Sequence, residues 1–397
     1  MMRRKYFYWF VLLLFLGVPV VFILYQSVFL SRLVGGDYFQ EYSDLEAKKM
    51  EVLGRSDLRK EINQHSLFTV GKRRDDKVVK QVLVTNSPKI LFLGDLMLDR
   101  QNRILLDRKG AGFFTEKIEH LFWGQDLNIA NLEGPITTRS SLSVGQPVEN
   151  PNHFRFTFKP RETINFLQAN RINLVNLGNN HILNFGSKGL EQTEEVLTKN
   201  NIDYFGDPLD LTRMSIVKRV GEWRIGFVNY NQFVGFSSEQ VVEIIKSLKT
   251  KSDFVIVYSH WGEEYKLVNN ARQQQLAHQF IEAGADLIVG SHPHVVQSIE
   301  VYRGKAIFYS LGNFVFDQYF SKDVRSELAL LLTIKNGRFE FTLLPLFRQN
   351  NGQLVLMEGA QRKDFLAGLA ERSSLEKEIK KEIKEGVFIL SGKKIKD

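Results

Sequence analysis

His292-Pro293-His294 follows the apolar run ADLIVGS and sets two imidazoles on one side of an extended backbone. That spacing suits two ligands of one metal ion. His260 follows a second apolar run, DFVIVYS, and His181 lies in the turn GNNH beside Asn180. Carboxylates occupy equivalent places. Asp95 ends KILFLGD, and Glu133 follows Asn131 by two residues, on the same face of a strand end. Taken singly, Asp95 reads equally as a ligand or a helix cap, Asn131 and Glu133 as a loop, and Asn180-His181 as a turn. Four of the eight histidines at strand ends shift the reading toward a shared site. Imidazole, carboxylate and amide oxygen together suit Mn, Fe, Zn or Ni rather than Ca or Mg.

The elements that must position these residues are legible as an alternation. Short apolar runs read as buried strands, and RETINFLQAN, GLEQTEEVLTKN, SSEQVVEIIKSLK and ARQQQLAHQFIEAG between them read as helices. Strands alternating with helices predict α/β layering. Polar clusters at strand ends then line the crevice where such folds bind ligands. Asn336-Gly337, between two alternating runs, predicts a hairpin. No internal repeat is present.

The whole chain sets the frame. Its 397 residues, 43% hydrophobic and 25% charged, suit one large domain or two ordinary ones with appendages. Without cysteine there are no disulfides, thiolate zinc sites, iron–sulfur clusters or cysteine nucleophiles. The net charge of +8 gathers in residues 1–5, 72–89 and the Lys-rich end, so no nucleic-acid site is read from it. Residues 6–30, YFYWFVLLLFLGVPVVFILYQSVFL, carry no charge and are long enough to span a bilayer. Arg3, Arg4 and Lys5 precede them, which predicts a single-pass anchor in the cell membrane with a cytoplasmic N-terminus and an extracytoplasmic domain. The run is longer than a signal-peptide core and QSVFLSRL offers no small-residue cleavage site. The expected divisions are 1–31, cytoplasmic tip and anchor; 32–87, stalk or peripheral subdomain; 88–347, the α/β domain; and 348–397, a polar Lys-rich tail with an exposed amphipathic helix.

The stretches FLGDLMLDR, ANLEGPIT, NLGNNHILNFGSKGLEQT, YSHWGEEY and GADLIVGSHPHVVQSIEVYRGKAIFYSLGNFVFDQ, across roughly residues 89–320, resemble the CapA family of capsule and poly-γ-glutamate biosynthesis proteins. That family's domain is related to the calcineurin-like metallophosphatases. The resemblance implies a four-layer α/β/β/α sandwich with its site at the sheet edge. It implies Asp95, Glu133, Asn180, His260, His292 and His294 as metal ligands, with Asn131 beside them, and one or two divalent ions such as Mn, Fe or Zn. It implies His181 as the acid that contacts phosphate, Arg100 as an oxyanion contact and Glu264 as support for a ligand. Two departures stand out. Met97 occupies the place of an expected ligand histidine, and Asn184 replaces an aspartate found in many members.

Three functions follow from these readings. The resemblance favours an anchored, outward-facing component that makes or exports an anionic polymer, with the bilayer and polymer or synthase subunits as partners. A metal-dependent phosphoesterase acting on an envelope substrate, and a non-catalytic synthase subunit, are the alternatives.

Overall fold

In the computed structural model, residues 87–335 and 337–391 are described. The expected anchor and stalk, with His65, lie outside them. Among the described residues no helix is long and apolar enough to cross a membrane.

The chain enters on β1 (Lys89–Leu96), then passes through α1 (Arg100–Lys109), β2 (Leu127–Leu132), α2 (Pro160–Ala169), β3 (Leu174–Asn176), α3 (Gly186–Lys199) and β4 (Asp203–Phe205). A second series follows: β5 (Ser215–Val220), β6 (Trp223–Asn231), α4 (Ser238–Lys251), β7 (Phe254–His260), α5 (Ala271–Ala283), β8 (Leu287–Ser291), β9 (Ile299–Tyr302) and β10 (Lys305–Phe308). The chain then returns through β11 (Asn313–Val315), β12 (Ser326–Lys335), β13 (Arg338–Arg348), β14 (Leu354–Leu356), α6 (Gly359–Arg372), α7 (Lys377–Glu385) and β15 (Val387–Ser391).

These strands form two mixed sheets. The first runs β14-β13-β12-β1-β2-β3-β4, with β11 beside β1 and β15 beside β13; the second runs β5-β6-β7-β8-β10-β9. The central strands are parallel, β1 to β4 in one sheet and β6, β7, β8 and β10 in the other. Parallel strands need both faces covered, which is why they read as unbroken apolar runs. In β1, Ile90 and Phe92 face the second sheet, while Leu91 and Leu93 face α1, α2 and α3. In β7, Phe254, Ile256 and Tyr258 face the first sheet, while Val255 and Val257 face α4 and α5. Period-two alternation thus builds three apolar layers between four layers of structure, α/β/β/α. The expected hairpin is β12–β13, with Lys335 paired to Arg338 across two residues.

The segment after 348 departs from expectation. It is not a polar tail: β15 pairs with β13 over five positions, and Leu366, Leu369, Ile383 and Phe388 join the core between the sheets. An amphipathic pattern reveals that a helix has an apolar face but not what covers it, and here the core covers it. The described residues form one compact unit.

Candidate metal centre

All five polar clusters end parallel strands at the same pole of the two sheets. Backbones approach closely there. Gly94 precedes Asp95, and a Cβ on it would stand 2.0 Å from the Gly312 carbonyl oxygen. Glycine alone permits this approach, and it sets Asp95 opposite Asn313 of β11. Gly178 is equally confined, with a Cβ falling 2.0 Å from Asn229 Oδ1. Asn229 lies on the second sheet and donates Nδ2 to Asn176 Oδ1 (2.9 Å) and the Gly178 carbonyl (3.0 Å) on the first. Buried amides therefore join the sheets just below the pocket.

Asp95 lies at the pocket floor. Its Oδ1 accepts from Asn131 Nδ2 at 2.8 Å and its Oδ2 from the His292 backbone N–H at 3.1 Å. His294 Nδ1 is 3.4 Å from the same Oδ2, and His294 Nε2 is 3.8 Å from Glu133 Oε1. His181 Nε2 approaches Glu133 Oε1 to 3.9 Å. Glu133 is fully buried, yet neither carboxylate oxygen has a hydrogen-bond partner. The Nδ1 of His292 is likewise buried and unpartnered. Orphaned buried polar atoms are costly. Two imidazoles facing one bare carboxylate, with the unpartnered His292 nitrogen nearby, form a donor set that a divalent cation satisfies.

The electrostatics agree with that fit. Burial, then the charges of Asp95 and Glu264, push the Glu133 carboxyl well above its usual range. Burial also lowers the imidazoles: His181 to about 4, His292 to about 3, and His260 well below its ordinary value. Neutral imidazoles are what a metal requires, since only an unprotonated nitrogen has a lone pair to offer.

Among the described residues, the acidic and histidine side chains able to hold an ion fall into two groupings, Asp95–Glu133–His294 and Glu264–His292–His294. His260 belongs to neither. Asn131 Oδ1 accepts from Asn176 Nδ2, which turns Asn131 Nδ2 toward His260 Nδ1 (3.2 Å), a nitrogen that also lies 3.0 Å from Ser291 Oγ. The other nitrogen, Nε2, is bonded to Asn180 Oδ1 at 2.9 Å. His260 and Asn180 thus reach the pocket wall bonded to each other.

Arg100 stands at the mouth with its guanidinium beside the rings of Phe156 (5.0 Å) and Phe316 (5.4 Å). It is paired with Asp317 and bonded to His153 Nε2 at 2.7 Å. Asp317 and His153 were not singled out from sequence, because each is far along the chain from Arg100. Asn184 accepts from Phe156 N (2.8 Å), so His181 Nδ1 must donate to the same oxygen (3.2 Å), which leaves Nε2 free. Met97 is buried in the outer apolar layer and accepts from the Asp99 N–H through its sulfur at 3.1 Å. Asn313 escaped notice although it lies inside one of the matching stretches; the signal was a lone amide between Gly312 and Phe314 at a strand start.

Residues 89–318 match the family described as bacterial capsule synthesis protein PGA_cap. The chain belongs to this family. Every pocket residue named above falls inside the matched span. Among relatives, the PGA biosynthesis protein CapA of Bacillus subtilis (strain 168) is 33% identical over 273 residues, which is 64% of this chain and 70% of that protein. The capsule biosynthesis protein CapA of Bacillus anthracis is 29% identical over 275 residues, 64% of this chain and 66% of that one. A hypothetical protein of Thermus thermophilus, known from its crystal structure, aligns at a TM-score of 0.39 and 15% identity, covering 68% of this chain and 98% of its own.

Proposed function

We propose that this PGA_cap family member acts in the production of a capsule-type anionic polymer, poly-γ-glutamate or a related chain. In this reading it is anchored by residues 6–30, and its domain works outside the membrane with a divalent transition metal, Mn, Fe or Zn, in the pocket. Family membership and the functions named for the two Bacillus relatives support the polymer role. The metal reading is carried by Glu133, buried with both oxygens unpartnered and facing two histidines.

Asp95, Glu133 and His294 would hold the ion, with His292 and Glu264 on its outer side. A bound divalent cation supplies Lewis acidity toward a phosphoryl or acyl oxygen. The chain's own groups do the rest. His181 holds its Nδ1–H on Asn184 and turns Nε2 toward Glu133, which places that nitrogen to exchange a proton with a bound anionic group. Arg100, held by Asp317 and His153, keeps its Nε–H without a partner and so available to an anionic group. The buried Met97 offers no ligand from the place where a histidine was expected, which favours a single tightly held ion.

The test is a deletion strain complemented with the wild-type chain or with Glu133→Ala, scored for surface polymer, alongside elemental analysis of the purified proteins. Polymer restored by wild type only, with about one metal per wild-type chain and none in the variant, is expected. Equal polymer from the variant would leave a scaffolding subunit as the better reading.

A further inference from the structure

His294 is the one side chain shared by both ion-holding groupings among the described residues. Both of its nitrogens face carboxylates: Nδ1 is 3.4 Å from Asp95 and Nε2 is 3.8 Å from Glu133. A neutral imidazole carries one proton, and only the other nitrogen can ligate. The position of that proton therefore decides which nitrogen of His294 can ligate.

The structure contains a group that makes this choice. His294 Nδ1 lies 3.0 Å from Asn313 Oδ1. The amide's orientation is fixed by its other end, where Nδ2 faces three acceptors: the Val324 carbonyl (3.0 Å), Gln318 Oε1 (3.2 Å) and the His294 carbonyl (3.4 Å). Oδ1 is thus an acceptor aimed at Nδ1, and Nδ1 must carry the proton. Gln318 Nε2 in turn lies 3.2 Å from the Tyr265 hydroxyl, to which it donates. Tyr265 is held at the rim with a φ of 64°, a costly conformation for a side chain of its size, and its N–H donates to the Pro293 carbonyl at 2.8 Å. Its ring lies 6.2 Å from that of His294.

We propose that Asn313 is a positioning residue that locks His294 as its Nδ1–H tautomer, making Nε2, on the Glu133 side, the ligand nitrogen, and that Gln318 and Tyr265 hold Asn313 in this orientation. The purpose of the lock rests on the metal reading above. The lock itself is a property of the metal-free protein and can be observed without any ion. Partners of this kind that orient metal-binding histidines are worth about 10- to 100-fold in affinity.

The test uses the full-length chain labelled with 15N-histidine and freed of metal by a chelator. Long-range 1H–15N spectra at neutral pH report each tautomer, and loss of one signal set in His294→Gln assigns the residue. The wild type should show the Nδ1–H pattern. Asn313→Asp keeps the acceptor and should keep that pattern; Asn313→Leu should lose it. Gln318→Leu, at a half-buried site, serves if Asn313→Leu does not fold, and should give a mixture. Zn2+ and Mn2+ titrations should show about 10- to 100-fold weaker binding in Asn313→Leu. A wild-type His294 protonated on Nε2, or variants with unchanged tautomer and affinity, would overturn the proposal. A wild type with the Nδ1–H pattern that binds neither ion would support the lock and remove the metal reading alone.

Discussion

Glu133 is the residue on which two opposite effects meet. Without a cation, a buried carboxylate lacking partners destabilises the fold. Glu133→Gln should therefore raise the stability of the metal-free protein by about 1–2 kcal/mol, measured by urea denaturation in chelator, while abolishing metal uptake. A variant that is less stable and still binds metal would contradict the arrangement. His181 gives a pH signature. Burial lowers its pKa from 6.5 to about 4. A depressed imidazole leaves stability intact above the unfolded value and removes it as pH falls from 6.5 toward 4, by about 3 kcal/mol in all. Glu133 works in the opposite sense, because a raised carboxyl favours the fold at low pH. The quantity to measure is therefore a difference: His181→Gln should lose stability less steeply than wild type between pH 6.5 and 4. Equal slopes would mean that His181 is not held neutral. Asp95, Glu133 and the histidines were legible in the sequence because each ends an apolar run. Asn313, Asp317 and His153 were not, because their importance comes from partners distant along the chain.

At the level of elements, close approach between strand ends sets the pocket's shape. Gly94→Ala places a methyl against the Gly312 carbonyl, a contact of 2.0 Å if nothing moves. It should cost at least about 3 kcal/mol and weaken metal binding, because β1 and β11 must part. Unchanged urea midpoints would show that the strands already have slack. The central strands and most helices were readable from periodicity, since both-face burial leaves an unmistakable apolar run. The end of the chain was misread for the same reason in reverse. KEIKKEIKE is charged enough to suggest a solvated helix, yet Ile383 is buried and Ile379 packs against the core. Truncation after residue 358 removes α6, α7 and β15 with Leu366, Leu369 and Phe388. It should yield insoluble or protease-sensitive protein; a soluble, cooperatively unfolding product would mean these elements are dispensable.

For the molecule as a whole, the anchor reading has a direct consequence. The full chain should sediment with membranes and resist high salt, whereas a chain beginning at residue 86 should be soluble and fold cooperatively. Protease added to intact cells without a wall should degrade the domain of the full chain; protection until the membrane is breached would reverse the orientation. Composition and the uncharged run carried this reading, and no packing information was needed for it. Residue 89 and Asp95 sit at opposite ends of β1, about 20 Å apart at the rise of an extended strand. A tag fused directly ahead of residue 87 should therefore leave metal uptake unchanged, because it joins the domain a full strand length from the floor of the site.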